Sequence, residues 1–176
     1  MSMGHSIRLM VSRAVLSLIN DATKLQHLQI QLMADEERGD VERFQEYGFS
    51  AHPHKGAEAI AVSVGGSRSH MVVIAVDDRR YRLTGLQEGE VAIYTDEGDK
   101  IVLKRGREIE ITSGTRVIID APTTLIKGDV HIEGDTTCDG EVSDHSGSMQ
   151  EMRDTYNGHK HPETGSITNT PIQTMT

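Results

Sequence analysis

Ile126-Lys-Gly-Asp-Val-His131, Ile132-Glu-Gly-Asp-Thr-Thr137 and Cys138-Asp-Gly-Glu-Val-Ser143 follow one another without a break. Gly128, Gly134 and Gly140 fall six residues apart, as do Ile126, Ile132 and Cys138. Upstream, Gly89, Gly98, Gly106 and Gly114 recur every eight or nine residues, each between short runs of Val, Ile, Leu or Thr. A short fixed period marks stacked β repeats and not a layered globule. Val91/Ile93, Ile101/Leu103, Ile109/Ile111 and Val117/Ile119 alternate with polar neighbours, so each segment has one face to hide. Each run is too short and too thinly apolar to do this alone. It must stack on copies of itself, in this chain or in others.

The remaining composition agrees. The chain has 176 residues with no Trp and only 3% aromatics, so a large core built on aromatic anchors is not expected. Gly is plentiful at 17, as turn-rich β folds require. A formal net charge of −9 argues against nucleic acid as a partner. The basic pairs Arg79-Arg80 and Lys104-Arg105 lie beside carboxylates and read as solvated surface. Cys138 is the single cysteine, which excludes an intrachain disulfide; its place in the hexads predicts a small buried hydrophobe. No apolar run approaches the ~20 residues that span a bilayer, and polar residues interrupt the N-terminal apolar runs, so the expectation is a soluble chain made in the cytoplasm.

Taken in order, Ile7, Met10, Val11, Ala14, Val15 and Leu18 follow the spacing of one helical face, with Ser6 as a cap, which predicts an amphipathic helix over residues 1–21 that packs on its own domain or docks a partner. From Leu25 the period becomes two: Leu28, Ile30 and Leu32 face one way, Gln29 and Gln31 the other. A polar stretch, Asp35 to Glu46, reads as a connection. Ala59–Val64, the turn Gly65-Gly66-Ser67 and Met71–Val76 predict a β-hairpin, and Arg80–Leu83 a further strand. Strands of this number suit a small Greek-key barrel of the oligonucleotide/oligosaccharide-binding (OB) type over residues 22–83. Residues 84–142 follow as a β shaft. A helical period returns only around Ser148–Arg153, and residues 143–176 are otherwise polar and Thr-rich.

That last segment contains Gly158-His159-Lys160-His161-Pro162. Residues i and i+2 of an extended chain point to the same side, and a proline biases the residue before it toward extended backbone. His159 and His161 can therefore converge on one point. Two ligands from one chain hold a transition metal poorly. Three chains meeting on a threefold axis would supply six imidazole nitrogens, which suits an octahedral ion and exceeds what tetrahedral zinc takes. A filled shell has no open position for a substrate, so such a metal would staple and not catalyse. His52-Pro53-His54, before a Lys-Gly turn, reads as an unliganded loop pair.

A helical or extended N-terminus, a small barrel, a Gly-Asp-Val-His-type β repeat and a terminal His-x-His resemble the central spike proteins of contractile phage tails, of the phage Mu type. The resemblance spans essentially the whole chain, most specifically Gly128–Val142 and Gly158–His161. It implies a mainly β homotrimer: OB-like barrels followed by an intertwined β-helix with a metal-capped tip. It implies one iron ion per trimer held by His159 and His161 of each chain, with calcium and chloride on the axis in some relatives. Asp135, Asp139 and Asp144 are the acidic positions near enough to the tip to consider for calcium. It further implies a non-enzymatic virion protein at the tail baseplate tip, attached through its N-terminal part to baseplate hub and tail tube proteins. Such a protein meets the host outer membrane and periplasm when the sheath contracts. The larger spikes of the family insert a lysozyme domain, for which this chain has no room.

Two enzymatic readings compete. Ile126/Val130, Ile132/Thr136 and Cys138/Val142 fit a hexapeptide-repeat acyltransferase, which trimerises and uses a histidine base. The upstream glycine spacing breaks its strict period. A His-x-His oxygenase would take Glu163 as third ligand, but residues 157–176 offer little to build the apolar pocket it needs.

Overall fold

The computed structural model describes residues 10–32 and 36–175, and the chain divides into two units at Ile119–Asp120. The first unit contains a closed barrel of five strands: β1 (Val11–Asn20), β2 (Gln26–Leu32), β3 (Glu37–Arg43), β4 (Glu58–Ser63) and β5 (Met71–Asp77), in the order β1-β2-β3-β5-β4. All neighbours are antiparallel except β3 and β5. Their parallel pairing is short, Glu42 with Val72 and Arg43 with Val73, and Phe44 N–H extends it by donating to the Val73 carbonyl.

Alternation places one set of side chains inside. Leu28, Ile30 and Leu32 of β2, Ala14 and Leu16 of β1, Val41 of β3, Ala59 and Ala61 of β4, and Met71 and Val73 of β5 form the core, joined by Ala57. It contains no aromatic ring, as the composition anticipates. Gln26 is also buried, and its amide is satisfied: it donates to Asp21 (2.6 Å) and to the Ala51 carbonyl (3.2 Å) and accepts from Arg43 (2.8 Å). A buried amide left unpaired would destabilise the barrel end, and this network prevents that.

On the outer wall, Glu58 accepts from Arg13 at 2.8 Å and from Arg79 at 2.8 Å, tying β1, β4 and the end of β5 together. The Arg79 hydrogen bond, aided by both guanidinium charges, holds the Glu58 carboxyl below its ordinary 4.5. A depressed folded value means the clasp is fully present above about pH 4.5 and is lost as pH falls through that lower value. The Tm of the barrel should therefore fall as pH drops below about 4.5, and Glu58→Gln should flatten part of that slope.

Several expectations are corrected. The segment predicted as a helix over residues 1–21 is strand β1 where described, and Ser6 and Ile7 lie outside the described residues. Apolar residues occupy so many positions of Met10–Leu18 that both periods fit. Pairing with β2 and β4 decides, turning Ala14 and Leu16 inward and Val15 outward. The barrel strands consequently run from Val11 to Asp77, not 22–83. The polar stretch contains β3, whose one buried apolar residue, Val41, is too weak a pattern to detect. Arg80–Leu83 forms no strand: residues 79–81 are a turn, with Tyr81 and Arg82 N–H both bonded to the Asp78 carbonyl. The Ala59–Val76 hairpin forms as expected.

After the barrel comes an antiparallel meander of β6 (Val91–Tyr94), β7 (Lys100–Lys104) and β8 (Glu108–Thr112). Its registers align Val91, Leu103 and Ile109 in one row and Ile93, Ile101 and Ile111 in the next, all on one face. Lys100, Lys104 and Glu110 occupy the other face as a charged ladder. His54 joins the barrel to this sheet, its Nε2 3.0 Å from Asp96 and its ring 4.8 Å from that of Tyr81.

Among the described residues, 113–142 contribute to no strand ladder. The three hexads therefore have no partner strand among the described residues, and Cys138, expected to be buried, is exposed in the single chain. In the second unit, helix α1 (Met149–Gly158) forms where the helical period returns, followed by a two-stranded hairpin of β9 (Pro162–Glu163) and β10 (Ser166–Ile167).

Candidate functional site

The tip is assembled by local rules. Ser148 caps α1: its hydroxyl accepts from Glu151 N–H at 3.0 Å, while the Glu151 carboxylate accepts from Ser148 N–H at 2.8 Å. This reciprocal box satisfies backbone donors that the first turn leaves free. Asp144 stabilises the turn before it, accepting from Ser146 and Gly147 N–H. At the other end α1 stops at Gly158 and His159 is extended (φ −67°, ψ 150°).

That extended run does what the His-x-His-Pro pattern requires. The rings of His159 and His161 lie 5.0 Å apart and edge-on, at 89°. His159 Nδ1 sits 2.5 Å from the Tyr156 carbonyl oxygen. A carbonyl can only accept, so Nδ1 carries the proton and donates it, which leaves the Nε2 lone pair free. A backbone carbonyl orienting one ring nitrogen while the other faces a metal is a recurrent arrangement around metal-ligating histidines. The pair therefore fits an imidazole-binding cation. His161 is held by its backbone: its N–H donates to Thr168 Oγ1 at 2.8 Å and its carbonyl accepts from Thr168 N–H at 3.0 Å.

One chain does not complete the shell. Among the described residues no three His, Cys, Asp or Glu side chains cluster as a metal site. Glu163, the third ligand required by the oxygenase reading, does not join the histidines in such a cluster, and neither Asp135 nor Asp139 belongs to one. A cavity of about 340 Å³ beside the pair is lined by Tyr156, His159, His161, Thr168, Asn169 and Pro171. The Tyr156 carbonyl, Thr168 and Asn157 were not legible as site residues, because backbone acceptors and chain reversals leave no signature in residue type.

The family profile described as Bacteriophage Mu Gp45, N-terminal, matches residues 13–80, which is the barrel. The "Baseplate puncturing device gp45" of Escherichia phage Mu is 42% identical over 134 residues, covering 72% of this chain and 68% of the relative. The chain belongs to the Mu gp45 family of phage baseplate proteins. The "Mu-like prophage FluMu protein gp45" of Haemophilus influenzae is 39% identical over 157 residues, covering 82% of this chain and 84% of the relative. The family profile stops before β6, so the histidine tip lies outside the part that defines the N-terminal family match.

Proposed function

We propose that this gp45-family chain acts as a homotrimeric central spike: barrels attach it to the baseplate, a braided β shaft carries force, and an iron-stapled tip enters the host outer membrane. The observation that carries this reading is the apolar face of β6–β8. Val91, Ile93, Ile101, Leu103, Ile109 and Ile111 are each 40–65% exposed in one chain, although they form two aligned rows. Downstream, Val117, Ile118, Ile119, Leu125, Ile126, Val130 and Ile132 are exposed as well. The contiguous apolar face of β6–β8 marks an interaction surface. Three copies can bury it around one axis, and closure also removes the unpaired edges of the shaft.

The tip follows from the same symmetry. With Nε2 of His159 free and His161 beside it, three chains offer six nitrogens, a set that suits octahedral iron. When bound, the ion supplies no chemistry beyond cross-linking three chain ends. The name of the phage Mu relative, a baseplate puncturing device, supports the piercing role.

The test is metal analysis on the assembled oligomer. The purified protein should sediment as a trimer with about one iron per three chains. His159→Ala with His161→Ala should remove the iron and leave the trimer assembled through the shaft. One metal per chain, or a double variant that becomes monomeric, would overturn the division of labour between shaft and tip.

A further inference from the structure

The histidine hairpin is not free-standing, because the chain turns back on it. After β10, Thr168 makes the two hydrogen bonds to His161 described above, Asn169 and Pro171 line the cavity beside the imidazoles, and Met175 comes back to the last turn of α1. There the Asn157 side chain makes two hydrogen bonds: its amide nitrogen donates to the Met175 carbonyl at 3.0 Å, and its carbonyl accepts from Met175 N–H at 2.9 Å. An amide side chain has one donor and one acceptor side by side, so it can pair with a backbone residue as a neighbouring strand would. These contacts join residues 18 apart in sequence.

We propose that Thr168–Met175 is a strap that holds the His159–His161 hairpin in its metal-presenting form, with Asn157 as the positioning residue that fastens it. Asn157 touches neither imidazole. It acts by anchoring the far end of the strap, while Thr168 transmits the constraint to the His161 backbone. Asn157 follows Tyr156, whose carbonyl orients His159, so the same helical turn fixes one histidine directly and the other through the strap. The inference rests on the metal reading only for what the hairpin presents; the strap itself is a property of this chain.

The experiment uses the full chain and two readouts. Amide hydrogen exchange is followed at His161, Thr168 and Met175 in wild type, Asn157→Ala and Asn157→Asp, and at His161 and Thr168 in a chain ending at Pro171, with Leu28 in the barrel as a folding control. Alanine is the better helix former, so Asn157→Ala leaves α1 intact. Removing the two hydrogen bonds should speed exchange at His161 and Thr168 about tenfold or more, with Leu28 unchanged. Asn157→Asp keeps the acceptor for Met175 N–H and loses the donor, so it should fall between. In the second readout, iron(II)-loaded protein is challenged with a chelator. Asn157→Ala and the shortened chain should release iron about tenfold faster while binding the same amount at saturation.

If exchange rises only at Met175 and iron leaves at the wild-type rate, Asn157 is a local tie of the C-terminal end and the strap proposal fails. Unchanged exchange at all three amides also sinks it, whether or not iron binds. If wild type takes up no iron but Asn157→Ala still deprotects His161, the strap stands and the metal reading falls.

Discussion

Ile101→Lys combined with Ile111→Lys should give a chain that sediments as a monomer while its barrel melts as in wild type. Both residues lie in the row Ile93–Ile101–Ile111, on the face that one chain exposes. In a single copy the substitution therefore costs the β6–β8 sheet little. In the assembled spike, each position would be buried in every chain. Fully burying an isoleucine contributes roughly 1.5–3 kcal/mol, and these two are about half exposed in one chain, so two positions in three chains account for roughly 5 kcal/mol or more. Losing it corresponds to about three to four decades or more in the association constant, before any repulsion between lysines meeting near the axis. Sedimentation equilibrium on the pair of variants reads this directly. A variant that stays trimeric would show that the apolar rows are not the interface and would remove the main support for the spike reading.

The second large effect belongs to the barrel. Ile30→Ala should destabilise it by about 2–5 kcal/mol, the usual range for an isoleucine truncated in a core. Ile30 is fully buried at the middle of β2, where it pairs with Leu16 of β1 inside the aliphatic core. For a barrel of this size that cost amounts to a fall of about 10 °C or more in Tm, measured by calorimetry or circular dichroism. Ile30→Val, which removes one methyl group, should cost about 1 kcal/mol. Iron content of the tip should not change in either variant, because the hairpin and its fastenings belong to the other unit.

Much of this was legible from residue order, and the failures have identifiable causes. The hairpin of β4 and β5 was plain because two β-branched runs flank Gly65-Gly66, and both glycines adopt positive φ (62° and 75°). The histidine pair was plain because Pro162 and the i, i+2 spacing constrain the backbone before any tertiary contact forms. Strand β1 was misread as a helix because its apolar residues satisfy either period, and only its partners β2 and β4 break the tie. Strand β3 escaped notice because a barrel strand with one wet face needs little hydrophobicity when its hydrogen bonds are supplied by neighbours. The short repeats at Val91–Thr112 were expected to stack on copies of themselves, in this chain or in others; within the chain they pair with one another as a meander and leave one apolar face over.

Sequence alone determined that this protein is mainly β, that its second half cannot bury its own apolar residues, and that two imidazoles meet at its end. Those properties depend on side-chain alternation, on hydrophobic content and on the conformational limits of proline, all of which act within a few residues. Only the tertiary structure decided where the barrel begins, which faces remain unsatisfied, and how Tyr156, Asn157 and Thr168 secure the histidines. Those depend on strand pairing between distant backbone groups and on side chains bonded to backbone N–H and C=O groups, and every residue type carries the same backbone.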